Sequence, residues 1–519
     1  MNDYKFGNFI MALRIGNGFS QFQLGKLMGV SDKAVSKWET GKSKPRLDTC
    51  KRLAEVFGIS IEDFLDMNRK PASDDQTARK EALWEKARIK LYEYYGDKPP
   101  ISFLARLESE KAALRHTDVV LHLDLISKIN KAANENQSLI IPRGWISNFL
   151  VSWLLGATYV NPLKPFSHCP KCHKTIMHPE AKDGWDLPRE KCSCGEWMIN
   201  DGHNLPFEGF ATTPNRSGRY DIDLNLSTKM FNNAEAIIRE HYRNIYDLVR
   251  FINEPFIDPE TGIAEDNSDC FRSYMLVSPA VHFPRSDGEN PVIVHIDDYE
   301  KYKNIPEIHL IRYISLDKRI DVAKFTPYSL LLSKAQTTDV QEKLWNSWRM
   351  PYSYHCDGTE GSPELVAEQW RKYKTIIQET KNNQICFSDL CQVQGMVHGT
   401  GIWQNNGEEL IKNGTAKLTD LAAFREDVWN YILGKMTPLN SSGIGFPLKV
   451  MDHVRLGRYA QNGMDEETRR ILLELGIPTW YIDHICKINY QFPKGHTTAY
   501  IITSLMYRSE YPDLSISVR

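Results

Sequence analysis

The feature that most constrains this chain of 519 residues is a pair of short capped helices near its start. Ser20 precedes an apolar pattern that includes Leu24, Gly29 follows that pattern, and Ser31 opens a second one. A serine hydroxyl caps the free N–H groups of a helix, and glycine readily takes the left-handed conformation that ends one. The spacing predicts two helices joined by a tight turn, a helix-turn-helix, within a bundle of five short helices over residues 4–66.

The second of these helices has two distinct faces. Helical spacing places Val35 and Trp38 toward the core, and it leaves the open face to Lys33, Ala34, Ser36 and Lys37. Side chains on an open face of this kind can enter the major groove of DNA. The run Ser36-Lys-Trp-Glu-Thr-Gly41, followed by Pro45, resembles the Cro and phage-repressor (XRE type) family, and the similarity extends over residues 5–66.

This resemblance implies that the protein binds double-stranded DNA. By it, Gln21 and the helix residues Lys33, Ser36 and Lys37 meet the duplex, while the following loop grips phosphates through Lys42, Lys44 and Arg46. Phosphate contacts position a protein and base contacts specify a sequence, so base reading is assigned to the helix alone. The alternative for the loop is a solvated basic turn. A symmetric DNA site would imply a homodimer.

Net charge and composition limit where the chain can contact DNA and which segments can fold. The net charge of -2 excludes a uniformly basic nucleic-acid coat, so DNA contacts must come from local patches. The start lacks the pattern of a signal peptide, and no run of about twenty apolar residues is present, so we expect a cytoplasmic protein without a membrane partner. The polar, charged composition after Met67 predicts a linker over residues 69–84.

Four of the ten cysteines fall close together. Cys169 and Cys172 form one pair and Cys192 and Cys194 a tighter one, with nineteen residues between the pairs. Two thiolate pairs supply the tetrahedral ligands of a structural Zn²⁺ site. The alternatives are ordinary thiols, or a site in which a nearby histidine replaces Cys192. The histidines near enough to do so are His168, His173 and His178.

From about residue 85 onward the chain resembles the palm and fingers of PolC-type DNA polymerase III alpha subunits of Gram-positive bacteria. The runs that carry this resemblance are Val160–Pro165, His168–Cys172, Asp201–Glu208, Asp221–Ser227, His398–Trp403, Glu409–Thr415, Trp480–Asp483 and Phe492–Tyr500. This family pairs its cysteines as two C-x-x-C knuckles, where this chain has one C-x-x-C and one C-x-C.

The run Asp221-Ile-Asp223 is the sharpest chemical signal. Alternate residues of a strand face the same way, so two carboxylates can together bind Mg²⁺. The resemblance gives Asp221 and Asp223 this role. Asp321 is the candidate for the third carboxylate because it ends a predicted strand, with a surface charge as the alternative. In the fingers, Lys494 and His496 suit a cationic contact with a pyrophosphate leaving group, the alternative being simple exposure.

Two departures from the family weigh against catalysis. The family has a loop of small residues near the triphosphate, but here the aligned stretch is Ile140–Ser147, with Trp145 where a small hydroxyl residue is expected. The family also has a Gln-His-Pro-Gly-Gly run, and the region between Asn253 and Pro291 lacks it. Loss of backbone donors around a triphosphate would weaken stabilisation of the charge that develops during transfer.

These features together predict a multidomain α+β protein. We expect an all-α helix-turn-helix domain over 1–68, a linker over 69–84, a palm over 85–345 with a zinc-binding insertion at 166–200, and a mostly helical fingers region over 346–519. The expected function is sequence-specific, regulatory DNA binding with a catalytically impaired polymerase-like module. That module would recognise nucleotides, DNA ends or replication proteins. The alternative functions are an active DNA polymerase or nucleotidyl transferase recruited to specific DNA, and a decoy that occupies polymerase partners.

Overall fold

A computed structural model defines the architecture. It describes residues 7, 10–11, 13–14, 19–57, 61, 75–115, 117, 119–136, 140–208, 222–226, 228–242, 247–252, 256–257, 264–265, 273–277, 292–295, 308–312, 376, 386–436 and 445–508. Across these residues the protein is mostly helical with a small mixed sheet, in agreement with the expected α+β class. None of the helices described there is long and apolar enough to cross a membrane.

The N-terminal domain is a small helical bundle. Its helices are α1 Gln21–Met28, α2 Asp32–Glu39 and α3 Leu47–Phe57. Leu24, Val35, Leu53 and Phe57 form one buried cluster at its centre, because each lies on the apolar stripe of its helix. The other two helices of the predicted five fall mainly on residues outside those described.

Four helices follow and enclose a second core. They are α4 Asp75–Tyr95, α5 Ile101–Ala113, α6 Val119–Glu135 and α7 Leu150–Leu154. The start of α4 corrects the predicted linker, since this helix begins at Asp75 and already buries Leu83 and Trp84. Arg79, inside the predicted linker, donates a hydrogen bond to Asp124 of α6 at 3.2 Å. Tertiary packing and this ion pair order a segment that composition alone suggests is unstructured.

The main sheet has six strands and mixed direction. All strands of the described residues are β1 Ile140–Gly144, β2 Phe166–His168, β3 Thr175–Met177, β4 Ile199–Asp201, β5 Ile222–Leu226, β6 Asp247–Ile252, β7 Phe256–Ile257, β8 Ala264–Glu265, β9 Ser273–Val277, β10 Val292–His295 and β11 Ile308–Arg312. The order in the main sheet is β1-β5-β11-β9-β6-β10. Helix α8, Thr228–His241, packs with β5 in the same core as α4 to α7.

The cysteine-bearing segment forms a separate small sheet. Strand β2 lies between β3 and β4, and both pairings are antiparallel. Gly202, directly after β4, has φ +98°, and a Cβ there would lie 2.5 Å from the carbonyl oxygen of Lys164. Only glycine suits this close approach, which turns the chain back along the preceding loop.

A helical body completes the protein. Its helices are α9 Phe387–His398, α10 Glu408–Lys412, α11 Arg425–Lys435, α12 Gly445–Arg455, α13 Arg458–Asn462, α14 Glu466–Glu474, α15 Thr479–Cys486 and α16 Lys494–Arg508. They surround one large core in which Trp429 is fully buried. Trp185 and Leu205 from the preceding segment enter the same core, so the body and the cysteine-bearing segment pack as neighbours.

Candidate functional site

The helix-turn-helix begins with a complete capping arrangement. The Ser20 hydroxyl accepts from the backbone N–H of Gln23, and the Gln23 side chain accepts from the backbone N–H of Ser20. Gly29 ends α1 with φ 67°, and Ser31 caps α2 through the N–H of Ala34. A Cβ at Gly25 would lie 2.8 Å from the Val30 carbonyl oxygen, so glycine permits the close approach of the turn to α1. The local chemistry thus fixes the angle between the two helices.

The interior of this domain is held by a buried ion pair. The Glu39 carboxylate at the end of α2 accepts from two guanidinium nitrogens of Arg14, and both side chains are buried. The same carboxylate accepts from the Gln21 amide at 2.7 Å. Gln21, which the resemblance predicts to contact DNA, is half-buried. Its amide therefore belongs to the hydrogen-bond network of Arg14 and Glu39 as well. Sequence reasoning did not single out Arg14 or Glu39.

The predicted DNA-contacting residues lie on one side of this framework. Val35 is fully buried and Trp38 is 8% exposed, whereas Lys33 and Lys37 are exposed and Ser36 is half-buried. The loop cations are exposed as well; they are Lys42, Lys44 and Arg46. Backbone N–H groups of Lys42 and Ser43 donate to the Lys37 carbonyl, which holds the loop against the end of α2.

The four clustered cysteines converge as their spacing predicts. Their sulfur atoms all lie within 4.8 Å of one another, and they are Cys169, Cys172, Cys192 and Cys194. The sulfurs are cross-paired between the two loops, with Cys169 at 3.5 Å from Cys194 and Cys172 at 3.4 Å from Cys192. Sulfurs bound tetrahedrally to zinc at about 2.3 Å lie about 3.8 Å apart, so the donor set fits a closed structural site.

Two of the three histidines considered as replacements for Cys192 have hydrogen-bond partners elsewhere. The ring nitrogen Nδ1 of His168 lies 2.9 Å from the Thr175 hydroxyl, and Nε2 of His178 lies 3.0 Å from the Ser167 hydroxyl. A backbone N–H of Cys194 lowers the pKa of Cys192 to about 6. A backbone N–H of Lys174 lowers the pKa of its partner Cys172, but contacts with the Cys192 and Cys169 thiols outweigh that bond and raise it. Among the described residues, the four cysteines alone form a metal-sized cluster.

Strand β5 carries one of the two predicted metal-binding aspartates. Asp223 pairs with Arg143 of β1 on one side and with His309 of β11 on the other. Asp221 and Asp321 lie outside the described residues. The backbone register therefore places Asp223 inside the sheet, next to an arginine that sequence reasoning did not assign to the site.

Arg143 and His496 connect this sheet to α16. Nη1 of Arg143 lies 2.7 Å from Nε2 of His496. Burial, followed by the positive charge of Arg143, holds the pKa of His496 well below its usual value. The imidazole is then neutral near pH 7 and accepts from the guanidinium. The expected contact of position 496 with a pyrophosphate group stays a prediction.

Lys494 is not simply exposed, which removes that alternative, and its expected contact with pyrophosphate stays a prediction. The Lys494 side chain is buried. Burial raises the pKa of Asp427, and the charge of Lys494 offsets only part of this rise. The backbone N–H of Lys494 donates to the Glu426 carboxylate at 2.9 Å. Glu426 thereby satisfies a free N–H at the start of α16. Lys494 thus belongs to the interior of the helical body in this structure.

The turn after β1 is held rigidly against α16. Asn148 donates to the Glu426 carboxylate at 3.3 Å, and a Cβ at Gly495 would lie 2.2 Å from the side-chain oxygen of Asn148. Glu110 accepts from the N–H groups of Leu150 and Val151 at 2.8 and 2.9 Å, which fixes the following helix. These contacts set the position of Arg143.

Trp145 occupies the core at this turn. It is 6% exposed, and its ring centroid lies 4.3 Å from that of Phe149. This large side chain, at a position where the resemblance leads us to expect a small one, therefore has a packing role. It anchors the turn after β1 to α7 and the helices around it.

A buried acidic network joins the cysteine-bearing segment to the helical body. Nδ1 of His203 lies 2.8 Å from an Asp183 oxygen, and Nε2 lies 3.9 Å from an Asp201 oxygen; the His203 and Asp183 side chains are fully buried. Asp186 accepts from the backbone N–H of Ser388 on α9 at 3.2 Å. His203 lies within the Asp201–Glu208 run that carries the family resemblance, but the sequence alone did not reveal its partner.

The pKa values of this network are displaced. Burial opposes the charged imidazole, but the Asp183 and Asp201 carboxylates outweigh burial and raise the pKa of His203. Burial, assisted by the charge of Asp183, raises the pKa of Asp186 to about 7. Both folded-state pKa values lie above those of the unfolded chain, so folding is favoured by protonation at each group.

Two family models match parts of this chain. Residues 10–64 match the model of the Helix-turn-helix family, and residues 81–252 match that of the Bacterial DNA polymerase III alpha NTPase domain. The chain therefore carries a helix-turn-helix DNA-binding domain and a polymerase III alpha-like domain.

Several curated proteins similar to this chain are PolC-type DNA polymerases III. The chain is 28% identical over 475 residues to the PolC-type DNA polymerase III of Thermotoga petrophila, with 81% of the chain and 33% of the relative covered. For the Halalkalibacterium halodurans protein the values are 28% over 473 residues, with 81% and 32% covered. For Bacillus subtilis they are 26% over 489 residues, with 84% and 33% covered. The chain thus spans about a third of the length of these relatives.

The acidic network predicts that stability falls as pH rises. Between about pH 4 and 7 the unfolded chain releases the Asp186 proton while the folded chain retains it, and above pH 6.5 the same holds for His203. Asp186→Asn keeps an acceptor for Ser388 but cannot ionise. We expect it to flatten the pH dependence of unfolding between pH 4 and 7 by up to about 1.4 kcal/mol per pH unit.

Urea unfolding of the full chain, followed by tryptophan fluorescence, measures this slope. The matched control is Asp97→Asn, because Asp97 is exposed. An unchanged pH slope in Asp186→Asn would show that Asp186 ionises in the folded protein as it does in the unfolded chain.

Proposed function

We propose that this protein is a sequence-specific, regulatory DNA-binding protein whose polymerase-like region is impaired in catalysis. The observation that carries the proposal is the division of α2 into a core face and an open face. Val35 and Trp38 fix the helix in the domain, while Lys33 and Lys37 are exposed on a helix whose ends are both held.

Docking of α2 in a major groove would use the two sets of cations differently. Lys33, Ser36 and Lys37 would approach base edges, and the exposed loop cations that follow α2 would contact phosphates. Because the whole chain has a net charge of -2, attraction to DNA would have to come from local patches such as this one. Binding as a homodimer would match a two-fold symmetric site.

The double substitution Lys33→Ala with Lys37→Ala tests the DNA-binding proposal. Each good base contact contributes about 1–3 kcal/mol of discrimination, so we expect at least about tenfold weaker binding to a selected duplex. Helix content should be unchanged because both side chains are exposed. Fluorescence anisotropy of the full chain at fixed salt gives the affinity for selected and random duplexes.

Lys51→Ala is the matched control, an exposed lysine of the same domain on α3. Its affinity should stay close to that of the natural chain. Equal affinity of the natural chain for random and selected duplexes at physiological salt would contradict sequence-specific binding.

We propose Zn²⁺ as the occupant of the cysteine cluster, with one ion per chain. The convergence of four sulfurs within 4.8 Å supports this assignment. The ion would be structural, because four protein ligands leave no open position for substrate.

Cys172→Ser tests the zinc assignment. We expect zinc content to fall and the melting temperature to drop, because a ligand of a closed site is lost. Elemental analysis and thermal melting provide the two readouts, with Cys50→Ser, a buried cysteine outside the cluster, as the control for general destabilisation. Freshly purified protein that contains no zinc would exclude the assignment.

The polymerase-like region retains part of a catalytic arrangement. Asp223 lies between Arg143 and His309 in the sheet, and Asp221 precedes it by two residues in the sequence. Such a pair would bind Mg²⁺ when both carboxylates face one site. Two features favour impairment: the glycine-rich run is missing, and His496 is neutral. A triphosphate misplaced by about 1 Å can react about a hundredfold more slowly.

Primer extension with Mg²⁺ or Mn²⁺ distinguishes impairment from the alternative of an active DNA polymerase or nucleotidyl transferase. We expect little or no extension by the natural chain, together with stabilisation by Mg²⁺ that Asp221→Ala plus Asp223→Ala abolishes. One observation favours an active enzyme: the pairing of β1 with β5 places Arg143 next to Asp223. Robust extension that the double substitution removes would establish the active enzyme.

A further inference from the structure

The second cysteine loop forms a narrow two-stranded ribbon with an exposed tryptophan. Lys191 and Trp197 pair across it in antiparallel fashion. Backbone bonds fix the register: Met198 N–H donates to the Glu190 carbonyl, and Cys192 N–H donates to the Glu196 carbonyl at 2.8 Å. Trp197 is nevertheless 40% exposed, which is unusual for so large a side chain held in a fixed backbone.

The two faces of this ribbon differ sharply. Cys192 and Met198 are buried together with Cys169, so they form its inner face. Successive residues of a strand alternate between faces, which places Lys191 and Trp197 on the outer face. Arg189 joins them there: its guanidinium carbon lies 4.4 Å from the Trp197 ring centroid, and Nζ of Lys191 lies 5.0 Å from it.

The ribbon and the neighbouring cysteine loop carry further charged residues. Lys171 and Lys174 are exposed on the first cysteine loop, which the close Cys169–Cys194 and Cys172–Cys192 sulfur contacts join to the ribbon. The neighbouring acids, Glu190 and Glu196, alternate with the outer residues in sequence. Glu196 also accepts from the backbone N–H of Trp197 at 3.1 Å, so its carboxylate is engaged beside the ribbon.

We propose that Trp197, Arg189 and Lys191 form a stacking platform for single-stranded nucleic acid. An unpaired base can stack on the part of the indole that the two cations leave exposed and on the planar Arg189 guanidinium that lies over the ring, while Arg189 and Lys191 neutralise the adjacent phosphates. In a duplex the base faces are already stacked, so this surface favours a single strand. An acidic peptide would use the cations but gain little from the indole. The platform shares no residue with the proposed duplex-binding surface of α2.

Binding of a fluorescent oligothymidylate of about 12 nucleotides to the full chain tests the proposal. The chain carries Lys33→Ala and Lys37→Ala throughout, so that the helix-turn-helix contributes little. We expect Trp197→Ala to weaken binding at least about fivefold, and Trp197→Phe to retain part of the affinity. Arg189→Glu with Lys191→Glu should weaken binding and reduce its dependence on salt.

The matched control is Tyr94→Ala, which removes another half-exposed aromatic side chain from the surface of α4. Its affinity should equal that of the parent chain. A second readout locates the contact: an oligonucleotide containing 5-iododeoxyuridine should crosslink to Trp197 under ultraviolet light, as mapped by mass spectrometry.

Three results would overturn the platform. The first is that Trp197→Ala binds the oligonucleotide as well as the parent chain does, and the second is that crosslinks form only at other residues. The third is that polyglutamate competes fully with the oligonucleotide and that Trp197→Ala does not change the affinity for polyglutamate. Melting curves of each variant confirm that the fold is intact. If Trp197→Ala unfolds, the affinities of Trp197→Phe and of the double charge reversal decide whether the platform binds the strand.

Discussion

A buried histidine between two carboxylates is the interaction on which the arrangement of the larger region depends. Asp183 lies between the two cysteine pairs in sequence, Asp201 ends β4, and Nδ1 of His203 lies 2.8 Å from a carboxylate oxygen of Asp183. Charged groups are costly to bury unless they are paired, so these side chains constrain one another strongly. Because Asp186 also binds Ser388 of the helical body, the same cluster fixes the segment against α9.

The sheet and α16 are joined by a second set of buried polar contacts. Glu426 accepts from both Asn148 and the start of α16, while the absence of a side chain at Gly495 lets the turn approach. Arg143 and His496 then meet at 2.7 Å. Buried hydrogen bonds thus set the distance between β1 and α16.

Local chemistry explains how much of this the sequence could predict. The helix-turn-helix depends on caps and a glycine turn within some twenty residues, and the spacing of the cysteines predicts their convergence. The helix beginning at Asp75 could not be predicted from its polar composition, because it is ordered by Asp124 and by apolar residues further along the chain. The neutral state of His496 likewise depends on burial and then on the charge of Arg143, which is remote in sequence and adjacent only after folding.

The ion pair of Arg14 with Glu39 has a consequence for how a duplex would be read. Glu39 lies at the end of α2 and also binds Gln21 of α1, so three segments of the domain move as one body. If α2 is the recognition helix, as proposed, these contacts would restrict its rotation within the domain when groove width varies. In a complex, the DNA would therefore have to adjust to the protein, and sequences whose minor groove narrows or whose axis bends easily would be favoured at positions that no side chain touches.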